Sequence, residues 1–292
     1  MDILTGLLAG VLPFIAAGYA LHLLRIKKAE RYIGIFVDFS LYALVPAFVF
    51  FAVWTAPLGS HVNGAAAVAA VSLAVVACGA VFAFMFSKIY SMNFRDSALP
   101  VMFMNSAYLA IPLDAALAGK PGMFLGVVYN IVIMLLHFSA GIVIVSGSIS
   151  EIFRVPVLYC AVLGAAANIA GMPVTAGVLG VSKALNGITL PAMLVLVGYQ
   201  VTPVSLPDLK KIIWATLVRM LGGLAAALAI CKIFGIIGDA RTVCLVSSSM
   251  PSAINSYILA KKYDADFSFA SSMITVGLVF SAVVVPVIIW IK

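Results

Sequence analysis

Long apolar segments follow one another along almost the whole chain, separated by short polar connections, and this pattern constrains the fold more than any other feature. Hydrophobic residues make up 64% of the chain and charged residues only 9%. A soluble domain has about 45 to 50% apolar and about 25% charged residues. A membrane-spanning helix needs about 20 mostly apolar residues. The sequence therefore predicts an all-α membrane protein with no room for a separate soluble domain.

The apolar pattern predicts ten transmembrane helices. Their expected bounds are residues 3–24, 32–54, 64–87, 98–118, 122–147, 156–172, 183–203, 211–235, 241–261 and 267–291. The first is interpreted as a span rather than a signal peptide, because no basic residues precede it.

The basic residues indicate how the chain is oriented in the cell membrane. The odd-numbered connections contain eleven Lys and Arg residues, whereas the even-numbered connections and the C-terminus contain five. Because Lys and Arg accumulate on the cytoplasmic side, we expect the odd connections inside and both termini outside. The net charge of +7 could suggest a nucleic-acid partner, but no contiguous basic face exists beyond residues 25–31. No nucleic-acid partner is therefore predicted.

Proline-containing patterns recur five spans apart. The second span contains Leu44-Val45-Pro46-Ala47-Phe48 and the seventh contains Thr189-Leu190-Pro191-Ala192-Met193, while the fourth and ninth contain Pro112 and Pro251. An odd number of spans per repeat inserts the two halves in opposite directions, which is the inverted-repeat plan of many secondary transporters. Chance placement of common membrane prolines is the alternative.

The recurrence divides the chain into two five-helix repeats, at residues 1–148 and 154–292. The register between them is not unique. Aligning the prolines pairs Asn105 with Cys244, whereas aligning the ends of the two spans pairs it with Ser247.

The fourth and ninth spans are polar in the middle, where a lipid-facing helix should be apolar. Residues 247–256 contain five serines and an asparagine around Pro251. Pro112 removes a backbone donor and clashes with the carbonyl four residues earlier, so the fourth helix is expected to kink or unwind near Tyr108. Broken backbone inside a membrane needs hydrogen bonds from protein or from a water-filled cavity. We therefore expect a substrate cavity where the two breaks cross, with a simple proline kink as the alternative for each segment alone.

The candidate substrate-binding residues are those expected to line this cavity. Half-helix N-termini suit an anion, whereas unwound carbonyls suit a cation. The candidates flank the two breaks or face them from the fifth span: Asn105, Ser106, Tyr108, Pro112, Asn130, Ser248, Ser249, Pro251, Ser252 and Asn255. His137, alone in the fifth span, is interpreted as a hydrogen-bonded core residue rather than a proton relay.

Three charged residues inside spans are candidates for coupling or gating. An intramembrane carboxylate is costly enough to suggest function, and Asp38 is our first candidate, although it could instead pair with Arg31 or Lys28. Asp114 follows Pro112 closely but is expected near the outer, solvated end of its span. Arg219 either meets the substrate or extends to the cytoplasmic interface.

Several classes of protein and site are not indicated. The four cysteines show no paired spacing, so neither a disulfide framework nor a zinc site is predicted. HExxH and GxSxG motifs are absent from the sequence, which argues against an enzyme. Ten spans with short loops also differ from a seven-span receptor. No cofactor is expected, and the coupling ion is left open between a proton and sodium.

The sequence resembles the auxin efflux carrier family, which includes the plant PIN proteins and bacterial organic-anion permeases, within the wider bile-acid, arsenite and riboflavin transporter group. The similarity lies in residues 105–113, 192–203, 218–221 and 245–263, in that order. The short connection at 148–155 is similar to that of a prokaryotic member rather than a plant PIN protein.

The resemblance implies a secondary transporter of a small organic anion that works by alternating access. It implies a scaffold of spans 1, 2, 6 and 7, a moving crossover domain of the other spans, and a homodimer packed through the scaffold. Asn105, Pro112 and Pro251 match the crossover positions of the family. A sodium-coupled carrier of the bile-acid type is the alternative.

Overall fold

The computed structural model describes residues 2–24, 29–56, 64–199 and 206–291, and these form helices with one isolated antiparallel bridge and no strand. In chain order the α-helices in this part of the chain are α1 Asp2–Leu23, α2 Ala29–Phe39, α3 Val45–Trp54, α4 Ala65–Ile89, α5 Phe94–Met102, α6 Ile111–Leu136, α7 Ile142–Ser146, α8 Val157–Ile169, α9 Ala176–Tyr199, α10 Leu206–Ile233, α11 Gly238–Ser248, α12 Ile254–Lys262 and α13 Phe267–Ile291.

Six helical segments among the described residues are long and apolar enough to cross a membrane. They are Arg31–Trp54, Ala65–Ile89, Ile111–Ser146, Ala176–Leu196, Asp208–Ile233 and Phe267–Ile288. The prediction of an all-α membrane protein is confirmed. The segment Ile111–Ser146 is interrupted at Gly119, whose φ of 63° lies in the left-handed region that glycine tolerates best.

Two prolines follow π-helical turns. Ser40–Leu44 joins α2 to α3, and Pro46 is the second residue of α3. Ser106–Ala110 leads into α6, where Pro112 is again the second residue. Because proline has no N–H to donate to the preceding turn, the helix widens there instead of closing its usual hydrogen bond. The sequence therefore marks both irregular turns.

Helix α1 packs along α9, and α3 packs against α8 and α9. The contact between α1 and α9 is close because two glycines lie in it. A Cβ atom on Gly18 would overlap the carbonyl oxygen of Val195, and one on Gly198 would overlap that of Ile15. Small residues that let backbones approach are the usual device of helix packing in membranes.

The other long helices pack around a second centre. Helix α4 packs against α5, α6, α10 and α11, and α13 packs against α5, α10 and α12. The gap between α5 and the π-turn, at Phe103, Met104 and Asn105, is buried inside this group. The gap between α11 and α12 is buried beside it, so two interrupted helices meet in the interior.

Candidate functional site

The two interruptions are joined by backbone hydrogen bonds. The N–H of Asn105 donates to the carbonyl of Pro251 at 2.8 Å, and the N–H of Ala253 donates to the carbonyl of Phe103 at 3.0 Å. These two bonds enclose the antiparallel bridge between Met104 and Ser252. Each broken backbone therefore supplies the partners that the other needs, as burial in a membrane requires.

A cavity of about 30 Å³ lies beside this crossing. Its polar lining consists of Asn105, Ser106, Asn130, His137 and Asn255. Its apolar and backbone lining consists of Val45, Phe48, Met104, Ala107, Ile133, Met134, Ala253 and Ile254. None of these described lining residues carries a carboxylate, a Lys or an Arg side chain. The site offers amides, a hydroxyl, an imidazole and an apolar wall.

The polar side chains of the cavity have defined partners. The Ser106 hydroxyl donates to Oδ1 of Asn130 at 2.9 Å. The amide nitrogen of Asn130 carries two further N–H donors. The His137 ring stacks on Phe103 with centroids 4.1 Å apart, and its Nε2 lies 3.4 Å from the Ser256 hydroxyl. His137 is buried, as the sequence predicts, but it also lines the cavity.

Both half-helices that leave the crossing begin at the cavity. The π-turn starts at Ser106 and α12 starts at Ile254, and both residues line it. Helix N-termini carry partial positive charge and suit an anion. The amide N–H groups of Asn105, Ser106 and Ala253 are already bonded within the crossing. The lining also offers helix ends and the side-chain amides of Asn130 and Asn255 as donors.

Arg219 holds the ends of the half-helices that enter the crossing. Its Nη1 donates to the carbonyls of Val101 at 3.2 Å and Met102 at 2.9 Å, and its Nη2 donates to that of Ser248 at 2.6 Å. The side chain is 1% exposed. The interpretation that Arg219 extends to the cytoplasmic interface is therefore wrong. The guanidinium instead satisfies the carbonyls at the negative ends of α5 and α11.

Asp114 lies in the first turn of α6, which packs against α11, and it is fully buried, with an exposed fraction of 0%. The expectation of a solvated position near the end of its span is wrong. Its Oδ2 accepts a hydrogen bond from the Ser247 hydroxyl at 3.2 Å, and its Oδ1 has no hydrogen-bond partner among the described residues. The neighbouring Ser248 hydroxyl bonds the Tyr129 phenol at 2.9 Å.

Asp38 forms an ion pair with Lys262, at 2.6 Å between Oδ1 and Nζ. The suggested pairing with Arg31 is therefore wrong, and Lys28 lies outside the described residues. The Asp38 side chain is 54% exposed, so it faces away from the buried crossing. The hydrogen bond to Asp38 raises the pKa of Lys262 above its ordinary value. Asp38 thus connects α2 to α12 at some distance from the cavity lining.

The other predicted site residues lie around the crossing rather than in the cavity. Ser248 and Ser252 are buried and do not line it, and the Ser249 hydroxyl bonds back to the carbonyl of Val246 at 2.8 Å. The Ser252 hydroxyl is buried with no partner among the described residues. Pro251 contributes its carbonyl to the bridge, whereas Pro112 is exposed on the first turn of α6. The Tyr108 side chain lies outside the described part of the structure.

Several lining residues carried no signal in the sequence. Val45 and Phe48 come from α3 and close the apolar side of the cavity, but they resemble any other apolar residue of a span. Tyr129 could have been noticed as a hydroxyl beside Asn130. Among the described residues, no group of three His, Cys, Asp or Glu side chains could hold a metal ion.

Comparison with known proteins indicates a membrane transporter. The chain is similar to an uncharacterized transporter of Methanothermobacter thermautotrophicus, with 28% identity over 198 residues. This similarity spans 63% of the chain and 63% of the relative's length. A family described as membrane transport protein matches residues 142–289, which is half of the chain. The chain therefore belongs to this family of membrane transport proteins.

Proposed function

We propose that the protein is a secondary carrier of a small organic anion, which binds in the cavity at the crossing. One observation carries this proposal: the positive ends of two half-helices meet side-chain amides in a buried space whose described lining has no acidic side chain. A carboxylate is the group that such donors stabilise. The apolar wall that includes Phe48, Ile133 and Met134 suits the organic part of the molecule.

Transport requires that this cavity change its size. A volume of about 30 Å³ holds about one or two water molecules, and a carboxylic acid with several carbon atoms needs more. The cavity lies between two packing groups. Val45 and Phe48 belong to α3, whereas the other lining residues belong to the crossing, to α6 and to the turn that follows α6. Relative movement of these groups would open it to one side of the membrane at a time.

The packing also supports the division into a scaffold and a moving domain. Helix α1 contacts α9, and α3 contacts α8 and α9. These four helices correspond to spans 1, 2, 6 and 7. We propose ten membrane crossings in two inverted repeats, at 1–148 and 154–292, with both termini outside. The reciprocal hydrogen bonds of the crossing are what a two-fold relation between the repeats would produce. Homodimerisation through the scaffold is part of the same proposal.

A ligand-dependent thermal unfolding screen tests this function. Purified protein in detergent is heated with indole-3-acetate, malonate, a neutral amide and an amine, each in sodium and in potassium buffer. Because a ligand that binds only the folded state stabilises it, at least one carboxylate should raise the midpoint of unfolding. At a concentration about 100 times its Kd, the stabilisation is about 2.7 kcal/mol.

The same screen separates the alternatives. Stabilisation by a carboxylate only when sodium is present would favour the sodium-coupled carrier. Stabilisation by the neutral amide or the amine, with no response to either carboxylate, would contradict the anion proposal. Variant Asn105→Ala removes a lining amide and should abolish the response.

A further inference from the structure

The buried acid and the buried base near the crossing are not paired with each other. In the part of the chain that the structure describes, the ion pairs within 4.0 Å are Arg154 with Glu151, Lys211 with Asp208 and Lys262 with Asp38. Asp114 and Arg219 are absent from these pairs, although both are buried. The Tyr129 phenol bonds the hydroxyl of Ser248, and the carbonyl of the same serine bonds Arg219.

Two consecutive serines connect these groups. Ser247 bonds the Asp114 carboxyl through its hydroxyl, and Ser248 bonds Arg219 through its carbonyl. Both serines lie at the end of α11, immediately before the crossing. Any movement of α11 therefore affects the acid and the guanidinium together. The Asp114 carboxyl packs against Gly126, where a side chain would not fit, since a Cβ atom there would lie 2.5 Å from Oδ2 of Asp114.

The titratable groups that face Asp114 are few. Tyr129 approaches from the second part of α6, and Cys244 approaches from α11. Arg219 of α10 lies beyond Ser248. Helix α4, which also packs here, has Lys88 near its end as its one charged residue. No basic side chain among the described residues hydrogen-bonds Asp114, so its ionised form is poorly stabilised.

We propose that Asp114 is a proton-binding site, and that the carrier moves one proton together with one organic anion. The inference rests on the proposed function. Arg219 contributes one fixed positive charge, and among the described residues no carboxylate lies within ion-pair distance of it. With Asp114 ionised the interior is neutral and an added anion makes it negative. With Asp114 protonated the interior is positive, and one anion restores neutrality.

The charges balance at each step. A proton from water binds one carboxylate oxygen of Asp114. The summed charge of Asp114 and Arg219 then changes from zero to plus one. The anion then binds in the cavity and returns the total to zero. Moving a charge-neutral set through hydrocarbon avoids the penalty of carrying a net charge. Release reverses both steps on the other side.

Binding measured against pH tests the proposal. The Kd of indole-3-acetate, which stays ionised from about pH 6 to about pH 9, is measured by calorimetry on the full chain in two buffers of different ionisation enthalpy. The wild type should bind about ten times more weakly for each pH unit above the pH at which Asp114 loses its proton, and it should take up about one proton per anion there.

Two variants distinguish a proton site from a structural role. Asp114→Asn keeps the shape and the neutral charge of the protonated acid, so its Kd should not change with pH and no proton should be taken up. Asp239→Asn, at the exposed start of α11, is the matched control and should retain the wild-type pH dependence. If Asp114→Asn does not fold, Ser247→Ala, which removes the hydroxyl partner, should shift the pH at which affinity declines.

The outcomes separate the two proposals. Anion binding that is independent of pH would overturn the proton site while leaving the anion carrier intact. Anion binding that requires sodium and takes up no proton would do the same. The proton site would also be overturned if Asp114→Asn and Ser247→Ala both kept the wild-type dependence of Kd on pH. No binding of indole-3-acetate or malonate by the wild type at any pH would overturn both proposals.

Discussion

Arg219 shows how a single side chain can hold an irregular membrane structure together. The last carbonyls of a helix have no partner within the helix, and in a membrane interior each one left unsatisfied is costly. Arg219 bonds three such carbonyls, from Val101, Met102 and Ser248. A planar guanidinium with several fixed donors can serve two helix ends at once, whereas an ammonium group is a point donor.

The variant Arg219→Lys should therefore fail to replace the native residue. A lysine reaching from α10 can bond one of the two helix ends, so at least one buried carbonyl loses its partner. At about 1 to 3 kcal/mol for each unsatisfied group, the free energy of unfolding should fall by about 2 to 4 kcal/mol. Thermal unfolding in detergent measures this change.

The matched control is Arg241→Lys, because Arg241 lies half-buried on α11, near the opposite end of that helix from Ser248. Its effect should be under about 0.5 kcal/mol, as for most surface substitutions. Equal stability of Arg219→Lys and the wild type would mean that the three hydrogen bonds contribute little.

Residue positions along a span were the least predictable part of the site. The sequence identified Asp114 and Arg219 as unusual charges, but distance from the end of a span suggested solvent for both. In the structure the covering atoms come from distant helices, since Ser247 of α11 covers Asp114 and the carbonyls of α5 and α11 surround Arg219. The packing of the helices decides which neighbours cover a given residue. The distance of that residue from the end of its span does not indicate those neighbours.

At the scale of helices, the sequence predicted where the chain becomes irregular but not how. Pro112 indicated a kink near Tyr108, and a π-turn surrounds that position. The extended residues lie earlier, around Met104, because they pair with Ser252 of the other interruption. This pairing corresponds to an offset of 148 residues, whereas the sequence alignments pair Asn105 with Cys244 or Ser247, offsets of 139 and 142.

The ion pair of Asp38 with Lys262 links two helices that belong to different packing groups. Helix α2 leads into α3, whereas α12 follows the crossing. The Lys262 ammonium also lies 5.1 Å from the Tyr42 ring centroid. If the two groups move apart as proposed, this ion pair must break when the cavity opens, so it is suited to hold the closed state.

A double-mutant cycle of Asp38→Asn and Lys262→Gln measures the strength of this contact. Because the Asp38 side chain is 54% exposed, the coupling free energy should be under about 1 kcal/mol. The pKa of Lys262 is raised by its hydrogen bond to Asp38, so the contribution should be complete below the ordinary lysine pKa of about 10.4. It should decline only as the pH rises through the higher pKa of the folded state.

Thermal unfolding of the cycle variants at neutral pH and at about pH 11 gives the coupling free energy of Asp38 with Lys262 at each pH. The pair of Lys211 with Asp208 within α10 is a suitable comparison, since it joins residues of one helix and not two groups. Coupling that is already lost between about pH 8 and pH 9 would show that the ammonium is not stabilised as described.

In the whole molecule, the division into two packing groups supports the proposed alternating access. Helices α1 and α9 are packed through close glycine contacts, which suits a rigid scaffold. The crossing, Arg219 and Asp114 belong to the other group. Its two broken helices are bonded to each other, so in the proposed mechanism they would move together. The membrane class and the polar breaks were predictable from composition and from proline positions. The partners of each break were not, because they are separated by about half of the chain.

Binding of the anion at the crossing requires the lining residue Asn105, so the decisive variant is Asn105→Ala. The variant and the matched control Asn93→Ala, which removes an exposed helix cap, are reconstituted in vesicles after equal folding has been verified. Counterflow of the labelled carboxylate that stabilises the wild type is then measured. We expect Asn105→Ala to lose counterflow and Asn93→Ala to retain it. Near-normal counterflow by Asn105→Ala would show that the anion does not bind at the crossing.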